Sequence, residues 1–117
     1  TFGGNPLACA VARKALQVLV EEKMIENSAT MGDYFLSELE KIDSPLIKEF
    51  RGIGLMIAIE LKKTSKVTAR QLCEKLLNMG ILCKETHSYT IRFAPPLVIK
   101  KDEIDFVVKK IKDALFF

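Results

Sequence analysis

The strand-like stretch Thr90-Ile91-Arg92-Phe93, followed at once by Ala94-Pro95-Pro96, holds the residue best placed to do chemistry. Ile91 and Phe93 fall on one side of such a strand and Arg92 on the other. With the apolar side in the core, Arg92 faces a cleft or solvent. The prolines then force an extended exit just beyond it. An arginine on a stiff backbone can hold a carboxylate through two parallel hydrogen bonds. Many strand arginines are merely exposed, so the residues alone leave both readings open.

A second stretch is Thr1-Phe2-Gly3-Gly4-Asn5-Pro6, which leads into an apolar helical pattern. Asn5 can cap that helix and Pro6 fits its first position. Free N–H groups at a helix start, with a hydroxyl nearby, suit a phosphate. Plain turn chemistry is the commoner use of such glycines. Third comes Lys84-Glu85-Thr86-His87, read as a polar loop with no assigned catalytic part for His87. Glu60 ends an apolar strand and reads as a structural partner, with Arg51 the candidate cation.

The elements that must position these residues are legible from periodicity. Leu7, Val11, Ala12, Ala15, Leu16 and Leu19 recur at helical spacing, and Ile25, Ala29, Gly32, Phe35 and Leu39 resume it. A helix pair, bent near Glu21-Glu22-Lys23, therefore covers about 6–41, and Asp43-Ser44-Pro45 ends it. A modest strand from Leu46 to Arg51 precedes a clear period-two run, Leu55, Ile57, Ile59 and Leu61, with Gly52 and Gly54 at a tight turn. Ala69, Leu72, Cys73, Leu76 and Leu77 predict a helix ended by Gly80. Short strands follow at Ile81–Cys83 and Thr90–Phe93, then an amphipathic helix through Ile104, Val107, Val108, Ile111 and Leu115. This order predicts an α+β fold: a small, mostly antiparallel sheet with helices on one face.

Bulk composition narrows the function classes. The chain has 117 residues, 49% hydrophobic and 28% charged, which suits one ordinary globular core. No apolar run approaches the roughly 20 residues needed to span a bilayer. The net charge is +3, and Lys100, Lys101, Lys109, Lys110 and Lys112 are interleaved with Asp102, Glu103, Asp105 and Asp113. That mixture reads as a solvated helix face, not a nucleic-acid surface. The cysteines, Cys9, Cys73 and Cys83, are odd in number and lack metal-ligand spacing. All three read as buried thiols of a reducing cytoplasm, and the four methionines as core filler.

Several of these strings resemble one family. Thr1-Phe2-Gly3-Gly4-Asn5-Pro6-Leu7-Ala8 is similar to the segment that follows the cofactor lysine in class III pyridoxal-phosphate aminotransferases. Arg51-Gly52-Ile53-Gly54-Leu55 with Ile59-Glu60 resembles the family's Arg-Gly-x-Gly-Leu strand start. Lys84-Glu85-Thr86-His87 and Ile91-Arg92-Phe93-Ala94-Pro95-Pro96-Leu97 resemble its ornithine-using branch in particular. The likeness covers the whole chain.

The resemblance implies a division at residue 45. Residues 1–45 would be a helical segment crossing from a large domain, and 46–117 the C-terminal small domain of a fold-type I transferase. It implies pyridoxal 5′-phosphate as cofactor of a longer parent, small amino acid and 2-oxo acid substrates, and a homodimer or higher oligomer. The parent's activity would be transfer of the δ-amino group of ornithine to 2-oxoglutarate. Acetylornithine- or 4-aminobutyrate-using members are the near alternatives, and a free-standing, non-catalytic binding or regulatory domain the distant one. Thr1 would reach across the dimer to the cofactor phosphate, and Arg92 would bind a substrate carboxylate. The Schiff-base lysine would lie outside these residues, so the chain by itself would be inactive.

Overall fold

Asn5 starts α1 (Pro6–Glu21): its side chain accepts from the Ala8 N–H at 2.9 Å, and Pro6 occupies the first turn. The structure, a computed structural model, describes residues 2–64 and 66–116. Lys23, left-handed at φ 52°, breaks the helical run before α2 (Met24–Leu39). The elements that follow are β1 (Ile47–Ile53), β2 (Met56–Leu61), α3 (Ala69–Asn78), β3 (Lys84–Thr86), β4 (Thr90–Phe93) and α4 (Lys101–Ala114). Thr68 and Gln71 form a reciprocal capping box at the start of α3. Gly80, at φ 87°, follows its end.

The four strands form one antiparallel sheet in the order β1-β2-β4-β3. β4 thus lies between β2 and β3, which α3 connects. The fold is α+β, with the sheet wholly antiparallel and its core side covered by helices.

Period two decides the faces. Ile57, Ile59 and Leu61 of β2 and Ile91 and Phe93 of β4 are all buried. They meet Phe35 and Leu39 of α2, Leu72 and Leu76 of α3, and Ile104 and Ile111 of α4 in one cluster. Each fully buried side chain of this size contributes about 1.5–3 kcal/mol. Phe35 and Phe93 meet edge to face, with ring centroids 6.2 Å apart.

α2 grips the β1–β2 turn by close approach. A side chain on Gly32 would collide with the Gly54 backbone, and Gly54 itself has φ 52°. Ser28 Oγ accepts from the Leu55 N–H at 3.3 Å beside them. α1 packs mainly on α2 and buries none of its residues, leaving Leu7, Val11, Leu16 and Val20 exposed.

Three expectations change. The strand expected at Ile81–Cys83 lies instead at Lys84–Thr86, where the chain reaches the free edge of β4. Leu82 is 84% exposed, so the apolar run is not a core strand. Polar Lys84 and Thr86 suit the edge position, and His87 makes the following turn at φ 60°. Cys9 is exposed because α1 buries nothing, whereas Cys73 is buried. Met56 is exposed at the turn, so it is not core filler. No described helix is long and apolar enough to cross a membrane.

Candidate functional site

The helix-free face of the sheet carries a row of residues in direct register. Arg51 of β1 pairs with Ala58 of β2, Ala58 with Arg92 of β4, and Arg92 with Lys84 of β3. Residues directly opposite in an antiparallel ladder share a face. Three cations thus line up around one small residue. The next row is Glu49, Glu60, Thr90 and Thr86.

Ion pairing divides the cations. Register slips between Ile47 and Glu49, which brings Lys48 and Glu49 together beside Glu60. Lys48 Nζ donates to Glu60 Oε1 and Arg51 Nη1 to Glu60 Oε2, each at 2.6 Å. Arg51 also pairs with Glu49. These hydrogen bonds, Lys48 first and Arg51 second, hold the Glu60 carboxyl below the ordinary carboxylate range. The expected Arg51–Glu60 pair is therefore present. On α3, Arg70 is engaged by Glu74 and Glu85. Arg92 has no carboxylate partner among the described residues.

An open cleft of about 470 Å³ runs along this face, lined by Arg51, Ala58, Thr86, Thr90 and Arg92 among others. Its lining holds two arginines and two threonine hydroxyls, with no lysine and no carboxylate. Arg92 with the two hydroxyls suits a carboxylate, whereas Arg51 is already paired with Glu49 and Glu60. The set does not suit the ring of an aldehyde cofactor such as pyridoxal phosphate, for which the lining offers no amine.

The sequence-predicted residues separate accordingly. Arg92 lies in the cleft, Thr86 joins it from the Lys84–His87 stretch, and His87 is not among the lining residues. Thr1 lies outside the described residues. Arg51 and Thr90 enter the site unforeseen. The signal for Thr90 was two-residue spacing from Arg92 on the same face. Among the described residues, no group of three or more His, Cys, Asp or Glu is placed to hold a metal ion. A larger apolar hollow of about 610 Å³ lies beside Phe93 and Phe106, and no lysine or arginine lines it.

The family model described as aminotransferase class-III matches residues 1–115. The chain belongs to the class III aminotransferases. Among named relatives it is 56% identical over 115 residues to the ornithine aminotransferase of Bacillus subtilis, covering 98% of this chain and 28% of that protein. It is 57% identical over 112 residues to ornithine aminotransferase 2 of Staphylococcus saprophyticus, covering 96% and 27%. Among solved structures it matches the acetylornithine aminotransferase of Elizabethkingia anophelis at TM-score 0.92 and 45% identity, covering 98% of this chain and 31% of that one. Ornithine δ-aminotransferase of Plasmodium falciparum matches at TM-score 0.93 and 38% identity, covering 98% and 30%. The chain spans a little over a quarter of the length of the curated relatives it matches.

Proposed function

We propose that this chain is the C-terminal part of an ornithine aminotransferase and supplies the arginine that receives the substrate carboxylate. The observation that carries this is Arg92: fixed on a central strand, aimed away from the core, and without a carboxylate partner among the described residues. A guanidinium left unpaired in an open cleft can be met by a carboxylate from outside the chain. Thr86 and Thr90 add hydroxyls that can complete the hydrogen bonding of that carboxylate.

The parent reaction on this reading moves the δ-amino group of ornithine to 2-oxoglutarate, giving glutamate semialdehyde and glutamate. Pyridoxal phosphate, bound mainly by residues outside this chain, supplies the electron sink. Thr1 is read as a phosphate ligand given to the other subunit of a dimer. Residues 1–45 are read as the segment crossing from the large domain, and the bare apolar side of α1 supports a further contact there. Residues 46–117 are read as the small domain that closes over the substrate. The cofactor lysine is placed in the large domain, so the chain alone would not turn over.

The test uses the full-length protein, assayed with ornithine and 2-oxoglutarate while the cyclised semialdehyde is trapped. Activity that falls through a raised KM for 2-oxoglutarate in Arg92→Ala bears the reading out. An unchanged KM sinks the part given to Arg92. Turnover of acetylornithine in place of ornithine keeps the fold and moves the substrate, an outcome the Elizabethkingia match makes worth assaying.

A further inference from the structure

Glu60 is the carboxylate of this chain best placed to spoil Arg92. It stands opposite Thr90, two residues from Arg92 on the same strand face, a diagonal that long side chains span. Yet both its oxygens are taken from the other side, Oε1 by Lys48 and Oε2 by Arg51. Arg51 reaches Glu60 from β1, which flanks β2 on the side away from Arg92. The bulge at Lys48 supplies the second cation. Glu60 is only 19% exposed at its side chain, so its direction is set by these partners more than by water.

We propose that Arg51, assisted by Lys48, is a positioning residue that holds the Glu60 carboxylate off Arg92 and so keeps Arg92 open for an incoming carboxylate. Arg51 does this through Nη1, which meets both Glu49 and Glu60. With Arg51 removed, Oε2 of Glu60 is freed and turns to the nearest unpaired cation, Arg92. The incoming carboxylate must then displace an internal one. This builds on Arg92 as the carboxylate anchor.

The test is a cycle of variants in the full-length enzyme, with glutarate as an unreactive dicarboxylate probe and binding read by calorimetry. Arg51→Met weakens glutarate about two- to fivefold, the range for a partly exposed ion pair. In a Glu60→Gln background the same change has little effect. A plain loss of positive charge, or general damage to the fold, weakens binding equally in both backgrounds, and that result overturns the proposal. Arg51→Met without effect beside Glu60 overturns it as well. Arg92→Ala separates the two levels. If it weakens glutarate while the cycle shows no coupling, only the part given to Arg51 falls. If it leaves glutarate unchanged, Arg92 is not the anchor and both fall.

Discussion

Glu60 and Arg92 are diagonal neighbours on the open sheet face, and the carboxylate is bound by Lys48 and Arg51 instead of by Arg92. The small side chain of Ala58 lies between the two arginines in the same row. One arginine is thereby neutralised within the fold and the other is left for something outside it. This asymmetry leaves Arg92 without a carboxylate partner among the described residues on an otherwise ordinary antiparallel sheet face.

Shape should matter at Arg92 as well as charge. A lysine keeps the positive charge but loses the planar fork that meets both carboxylate oxygens. Arg92→Ala is expected to raise the KM for 2-oxoglutarate about 10- to 150-fold, from roughly 1.5–3 kcal/mol for hydrogen bonds to a charged group. Arg92→Lys should fall between that variant and the wild type. Steady-state kinetics of the full-length enzyme at varied 2-oxoglutarate check both.

Gly32→Ala should reverse the usual sign of a helix substitution. In an exposed helix interior the change gains up to about 1 kcal/mol. Here the new methyl meets the Gly54 backbone, which cannot swing aside as a flexible side chain would. Overpacking of this kind costs about 1–3 kcal/mol, so net destabilisation is expected. Urea unfolding of the two forms decides it, and a more stable alanine variant would contradict the close approach.

Asp105 ties α4 to α2. Its carboxyl is held below the ordinary range first by the Tyr34 hydroxyl and then by Lys101. A lowered folded pKa means that the contribution is full above the unfolded value of about 4 and fades as pH falls through the lower folded one. Asp105→Asn should therefore melt below wild type at pH 7, and the gap should shrink in acid. A gap that stays constant down to pH 3 would show that charge has no part in it.

The thiols should differ in reactivity. Burial pushes the Cys83 thiol up to about 12 and raises that of Cys73 as well. Cys9 lies exposed on α1. Alkylation of the folded 117-residue chain with iodoacetamide at neutral pH should label Cys9 first. Cys73 and Cys83 should react only on unfolding, as peptide mass mapping would reveal.

Ile59→Ala should cost about 2–5 kcal/mol, the range for large-to-small changes at fully buried sites. A small change in the unfolding midpoint would mean that the sheet centre is looser than its packing implies.

Much of this was legible in the residues, because local chemistry acts over a few positions. Asn5 with Pro6, the break at Lys23, Gly80 after α3 and the period-two burial of Leu55 to Leu61 all follow from caps, backbone freedom and alternation. The outward direction of Arg92 followed from the same alternation. Lys84–Thr86 did not read as a strand, since a polar edge strand takes its conformation from hydrogen bonds to β4 and carries no apolar period of its own. The exposure of Cys9 also escaped, because the apolar period of α1 says which side is greasy and not whether anything covers it. Periodicity by itself thus determined the elements and their faces. Only the tertiary structure decided which carboxylate meets which arginine, because β1, β2 and β4 come into register across dozens of residues and the bulge at Lys48 sets the order of the charges.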